Sequence, residues 1–222
     1  MSDKVSPQQF QDADGTQDWR VLGERAHAYF PTSSFAEATR LVDAICQLPG
    51  IEDHQPDVDI RPDGVTLRLL TKEPEGFGMT LRDVAAAKAT SGAAKGLGLK
   101  ADPSAVQSFL VVPGAAAVAE VMPFWEAVLG YVRRADTPDE DLVDPRNRNA
   151  NFWFERMDEL RADGGGAIHV AVWVPIEQAQ ARVDAALAAG GHMVRDKYAP
   201  SWWTLADSAG NEVDVSTVAN RE

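Results

Sequence analysis

The run Asp53-His54-Gln55-Pro56-Asp57-Val58-Asp59-Ile60-Arg61-Pro62-Asp63-Gly64-Val65-Thr66-Leu67-Arg68-Leu69-Leu70-Thr71-Lys72, resumed at Gly78-Met79-Thr80-Leu81-Arg82-Asp83, decides the fold of the first half. Residues 58–60 and 65–70 read as strands, and Arg61-Pro62-Asp63-Gly64 between them has turn composition, because Pro presets one dihedral and Gly permits the next. Thr80 caps a helix that runs to about residue 90, with Asp83 in its first turn where the helix dipole favours a carboxylate. Outward from there, residues 34–48 form an earlier helix. Ser34 and Glu37 make a capping box, with Ser34 accepting from the Glu37 amide while Glu37 reaches back. Ala38, Leu41, Val42, Ile45 and Leu48 give this helix one apolar stripe, and Pro49-Gly50 stops it. Residues 19–22 and 24–30 read as a hairpin around Gly23, and residues 6–12 as a short helix. The first half therefore reads α-β-β-α-β-β-α.

Residues 91–103 are rich in Gly, Ala and Lys with no sustained apolar period, and read as a helix end plus linker. Two domains are expected, 1–99 and 100–222, each long enough to bury a core. The second half shows an internal duplication. A strand (107–112) leads to a helix (116–129) ended by Gly130, then to strands near 131–135 and 151–157. A strand at 168–174 and a helix at 176–189, ended by Gly190-Gly191, repeat the pattern, with strands at 192–195, 202–206 and 212–217. This is a tandem βαβββ arrangement, and the whole chain is of the α+β class. The acidic residues 136–144 read as a solvated loop over a cleft, and Gly164-Gly165-Gly166 as a connection between modules.

Composition narrows the partners. The 222 residues carry 21 Lys and Arg against 34 Asp and Glu, a net charge of −13. Such a surface repels phosphate backbones and anionic lipid, which argues against nucleic-acid and membrane partners. Cys46 is the single cysteine, so no internal disulfide can form. No run approaches the roughly 20 apolar residues a membrane span needs. A cytoplasmic protein acting on a small molecule is expected. The sheet edges of the first half, if unpaired, favour a homodimer or higher homo-oligomer.

The order His54-Gln55-Pro56, Thr71-Lys72 and Gly78-Met79-Thr80-Leu81-Arg82-Asp83 resembles the site framework of the pterin-4a-carbinolamine dehydratases over roughly residues 5–97. The resemblance implies a pterin-like ligand and a site built on His54, Lys72 and Asp83. Gln55 and Lys72 stand where that family has histidines. Dehydration of a 4a-hydroxytetrahydropterin needs one proton given to the leaving hydroxyl and one taken from the ring, and histidine suits both because its pKa lies near neutrality. Gln55 exchanges no proton at neutral pH, so the framework is expected to be catalytically impaired. Phe124-Trp125-Glu126-Ala127-Val128-Leu129-Gly130-Tyr131 and Leu205-Ala206-Asp207-Ser208-Ala209-Gly210-Asn211-Glu212 resemble motifs of the vicinal oxygen chelate superfamily of glyoxalases, bleomycin-resistance proteins and dioxygenases, over roughly residues 105–218.

Strand alternation separates the faces of the second half. His169, Ala171 and Trp173 share one face of their strand, Glu212, Asp214 and Ser216 one face of theirs, and Asn151, Trp153 and Glu155 one face of a third. These mixed faces are expected to line a concave cleft. On the superfamily pattern Gln107, Glu155, His169 and Glu212 fall at metal-ligand positions, and the resemblance implies a divalent ion (Zn, Mn, Ni or Fe) with Glu212 also serving as a catalytic carboxylate. The bland alternative makes His169 a hydrogen-bonded histidine and Glu212 a rim carboxylate. Trp153 and Trp173 are candidates for stacking on a planar ligand. Of Trp202 and Trp203, one must face the helices. Three functions stay open: a glyoxalase-like lyase or related enzyme with an impaired dehydratase-like partner domain, an active 4a-hydroxytetrahydrobiopterin dehydratase using His54, and a metal-free protein that sequesters a planar ligand.

Overall fold

The computed structural model describes residues 3–73, 76–157, 168–206 and 212–220. The glycine run 164–166 and residues 207–211 of the second superfamily motif lie outside them. The chain divides into one unit of residues 1–106 with 220–222 and another of 107–219.

In the first unit α1 (Pro7–Asp12) is capped by Ser6, which accepts from the Gln9 amide at 3.2 Å. Strands β1 (Arg20–Leu22), β2 (Arg25–Pro31), β3 (Asp57–Arg61) and β4 (Gly64–Leu69) form an antiparallel sheet in the order β1-β2-β4-β3. Ala26, Ala28 and Phe30 of β2 stand opposite Leu69, Leu67 and Val65 of β4. All six are buried on one face with Leu41 and Ile45 of α2 (Phe35–Cys46) and with Ala87 of α3 (Leu81–Gly96). Burying such side chains is worth about 1.5–3 kcal/mol for each large one. Trp19 is fully enclosed and its indole N–H reaches the Ala87 carbonyl at 3.2 Å and Ser91 Oγ at 3.1 Å, tying β1 to α3. Gly64 opens β4 beneath the Tyr29 ring, which occupies the space a Cβ would need.

Three sequence expectations change here. Ser34 does accept from the Glu37 amide, but the Glu37 carboxylate reaches one residue further back, to Ser33 N at 2.6 Å and Ser33 Oγ at 2.7 Å. Helix α3 runs on to Gly96, six residues beyond the expected end, and buries Ala94. Between β4 and α3 an unexpected two-stranded ladder forms from β5 (Thr71–Glu73) and β6 (Gly76–Gly78), with Thr71 beside Gly78.

The second unit is one sheet in the order β13-β14-β15-β12-β7-β10-β9-β8, with β11 also paired to β7. Its centre is the antiparallel pair β7 (Ser108–Ala115) and β12 (Ile168–Trp173). Each central strand is flanked in parallel by the end of its own module: β7 by β10 (Phe152–Trp153) and β11 (Glu155–Arg156), β12 by β15 (Glu212–Ser216). Outside these lie β9 (Asp141–Val143) and β8 (Val132–Arg133) on one side, β14 (Trp202–Ala206) and β13 (His192–Arg195) on the other. The two halves repeat one connectivity, as a tandem βαβββ requires. Helix α4 (Val118–Leu129) covers Val111, Leu142, Phe152 and Phe154, and α5 (Ile176–Ala188) covers Val172, Trp203, Leu205 and Val215. Gly130 ends α4 in the left-handed region at φ 64°, where a Cβ is penalised. The acidic residues 136–144 are not simply a solvated loop. They contain β9, Asp141 and Asp144 are buried, Thr137 Oγ1 donates to Asp141 at 2.6 Å, and the amides of Arg146, Arg148 and Asn149 donate to Asp144.

Candidate functional sites

In the first unit a single 3-10 turn, Ile51–Asp53, delivers His54 beside the start of α3. His54 Nε2 lies 2.7 Å from Asp83 Oδ1, and the Asp83 side chain has no exposed surface. The other carboxylate oxygen accepts from Thr71 Oγ1 at 2.7 Å, the Thr80 amide at 2.7 Å and Thr80 Oγ1 at 3.0 Å. Thr71 and Thr80 also share a hydrogen bond at 2.9 Å. Burial works against ionisation of Asp83, but bonds from His54, Thr71 and the Thr80 amide outweigh it and hold the carboxyl below its ordinary range. The sequence marks Asp83 as a helix-start charge, and the fold makes it the hub of four donors. Lys72 does not join this group. Thr71 points at Asp83, so its neighbour in the strand points the other way. There the Lys72 ammonium is held below its ordinary value first by partial burial, with Asp57 opposing and Arg25 and Arg68 adding to the depression.

In the second unit the cross-strand register sorts the candidates. Val112 stands opposite His169, so on β7 the even-numbered residues share the His169 face. Gln107 precedes β7 with the opposite parity, and its Oε1 accepts from Arg182 of α5 at 3.2 Å, so it turns toward the helix side. On β15, Asp214 pairs with Ala171, which brings it diagonally against His169. His169 Nε2 and Asp214 Oδ2 are 3.5 Å apart, with side chains 13% and 17% exposed. Thr204 Oγ1 of β14 donates to the other Asp214 oxygen at 2.6 Å. The His169 pKa is raised, chiefly by the Asp214 hydrogen bond against the cost of burial, with the charges of Asp214, Glu155 and Glu212 adding. Glu155 and Glu212 thus stand within electrostatic reach of His169. Asp214 was visible on this face by alternation, yet nothing in the sequence singled it out over Glu212.

The aromatic residues divide as alternation requires. Trp203 is buried under α5, while Trp202 shares the His169 side and stacks on Tyr198 with centroids 4.2 Å apart. Trp173 is buried two positions beyond Ala171 on that same side. Trp153 is more exposed and its indole N–H points to Glu140 Oε2 at 3.4 Å. The expected metal-ligand set does not fit this arrangement. Gln107 faces elsewhere and His169 is engaged by Asp214. Among the described residues no three His, Cys, Asp or Glu side chains come together as a metal-binding group.

Family comparison matches the two units separately. The pterin 4 alpha carbinolamine dehydratase family matches residues 3–93, and the glyoxalase-like domain family matches residues 110–216. The chain joins a dehydratase-like domain to a glyoxalase-like domain. No curated protein matches it. A solved structure similar to part of the chain is a glyoxalase/bleomycin resistance protein/dioxygenase superfamily member from Vibrio splendidus 12B01, at 14% identity over 50% of this chain and 99% of that one, with a TM-score of 0.32. The reading of the glyoxalase-like domain stands on its duplicated strand connectivity. No helix among the described residues is long and apolar enough to cross a membrane.

Proposed function

We propose that the glyoxalase-like domain is the working part of a small-molecule enzyme, and that its chemistry is proton transfer centred on His169. The observation that carries this reading is the His169–Asp214 pair on the helix-free face of the sheet, flanked by Glu155 and Glu212. Asp214 orients the imidazole and favours its protonated form, and Thr204 orients Asp214 in turn. A positioned imidazolium can donate a proton while a nearby carboxylate accepts one, the pairing that lyases and isomerases need. Trp202 on the same side, stacked on Tyr198, offers a flat surface to a planar substrate, whereas Trp173 is buried. The reading routes no step through a metal, because the donors do not form a ligand set. Two measurements test it. Compounds that raise the melting temperature of the protein should lose that effect in His169→Gln. Elemental analysis of protein purified without chelator should find no stoichiometric metal; a bound ion lost in His169→Gln would instead restore the chelate reading of Glu155, His169 and Glu212. Ligands that bind unchanged in His169→Gln and are never turned over would leave a sequestering protein.

A second reading rests on the 2.7 Å His54–Asp83 contact. That pair could exchange the proton of a 4a-hydroxytetrahydropterin dehydration without Lys72. A direct dehydration assay decides it: turnover abolished by His54→Ala supports an active dehydratase, while none above the uncatalysed rate leaves the dehydratase-like domain as a binding module.

A further inference from the structure

Strand β13 lies at the edge of the glyoxalase-like sheet, and a bulge interrupts its pairing with β14. His192 stands opposite Ala206 and Met193 opposite Leu205, but the register then shifts, and Arg195 rather than Val194 stands opposite Thr204. A bulge of this kind re-aims a side chain. Leu205 packs under α5, whereas Thr204 bonds Asp214 and so marks the His169 face. Arg195 therefore belongs to that face, in one cross-strand row with Thr204, Asp214 and Ala171. Of the described strand residues on this face it is the single Lys or Arg, since Arg133 and Arg156 pair with Leu142 and Ala115 of the other side. It is exposed and makes no ion pair among the described residues. Beyond β13 the chain turns back through residues 196–201, which the end of the domain pins: Thr217 N donates to the Ser201 carbonyl and Thr217 Oγ1 to that of Pro200. Tyr198 of this turn stacks on Trp202, and Lys197 Nζ lies 4.7 Å from the Tyr198 ring centroid. Charge is thus sorted across the sheet. Two cations and a stacked aromatic pair occupy the β13–β14 side, while Asp214, Glu212 and Glu155 stand on β15 and β11.

We propose, resting on the reading of the His169 face as the working site, that Arg195 anchors the carboxylate of a planar organic acid whose ring lies beside Trp202. A guanidinium is a planar fork that binds a carboxylate through two parallel hydrogen bonds. The carboxylates of β15 and β11 repel the charged end of such an acid. They orient it toward β13 and leave its uncharged part toward His169. Three strand spacings, about 14 Å at the backbone, separate Arg195 from His169. Two side chains and a one- or two-ring ligand fill that span.

The test uses the full chain, titrated calorimetrically with cinnamate and separately with cinnamamide, which keeps the planar frame and lacks the charge. Cinnamate should bind saturably, one per chain, and more tightly than the amide. Arg195→Gln should weaken the acid about tenfold, the loss of one charge-assisted hydrogen bond, and leave the amide unchanged. Trp202→Ala should weaken both about fivefold through the lost aromatic contact. Arg156→Gln, on the opposite face, should change neither. Arg195 is exposed on an edge strand, so its replacement leaves the core intact. His169→Gln separates the anchor from the proton-transfer reading. Acid binding that survives His169→Gln and falls in Arg195→Gln supports the anchor even where that reading fails. Binding lost in His169→Gln but unchanged in Arg195→Gln keeps that reading and overturns the anchor. No saturable binding of cinnamate, or equal affinity for acid and amide, overturns it as well.

Discussion

In the dehydratase-like domain His54 meets an aspartate without exposed surface at 2.7 Å, whereas in the glyoxalase-like domain His169 meets one at 3.5 Å with both side chains partly open to solvent. Asp83 is saturated: besides His54 it binds the hydroxyl of Thr71 in β5 and the hydroxyl and amide of Thr80, the residue that caps α3. Asp214 has one firm partner, Thr204, and shares His169 electrostatically with two further carboxylates. A saturated buried carboxylate fixes a backbone as much as it positions a histidine. A less crowded one leaves its histidine free to change charge when a ligand arrives. The same residue pair thus has an enclosed, saturated carboxylate in one domain and is partly open to solvent in the other.

The comparison breaks most visibly at Asp83. Asp83→Ala strands two threonine hydroxyls, the Thr80 amide and His54, and should cost about 3–5 kcal/mol, as loss of one partner of a buried pair does. Denaturant unfolding measures it, and a loss below about 1 kcal/mol would deny Asp83 its architectural role. Next comes His27. The unfolded chain protonates it near 6.5 while the folded chain resists to about 3. Within that window the unfolded state binds more protons, so stability falls as pH drops, by up to about 1.4 kcal/mol per unit. Melting curves from pH 7 to 4 should show the decline, and His27→Gln should flatten it. The smallest effect is expected at Asp214. Asp214→Asn should change stability by less than about 1 kcal/mol, because both members of the pair are partly solvated. It should nonetheless lower the His169 pKa, visible in an NMR titration. A raised histidine pKa stabilises the fold below the unfolded value, and that contribution is lost as pH rises through the folded one. The asparagine variant should lack this decline on the alkaline side.

Much of the fold was legible because its boundaries are written in local chemistry. Ser6, Ser34, Thr80 and Gly130 mark helix ends through hydrogen bonds or a left-handed dihedral that act within a few residues. The extension of α3 to Gly96 was hidden because alanines and glycines carry no apolar period, although Ala94 packs as completely as a larger side chain would. Strand β9 was hidden for the opposite reason: acidic residues advertise solvent, and only the fold reveals that Thr137 and backbone amides satisfy Asp141 and Asp144. Alternation put His169, Glu212 and Asp214 on one face correctly. It could not fix how strands slide past one another, which is what brings Asp214 diagonally to His169 and sends Gln107 to Arg182.

Strand β15 is the last strand of its module in sequence yet sits inside the sheet, hydrogen-bonded to β14 on one side and β12 on the other. During synthesis, every earlier strand of the glyoxalase-like domain leaves the ribosome before the strand that bridges them. Until residues 212–216 emerge, β12 and β14 each keep an unpaired edge, the kind of surface that recruits other chains. The two parts of the sheet can therefore join only after that strand is made, and a chain stopped before residue 212 would lose the join between them rather than a dispensable tail.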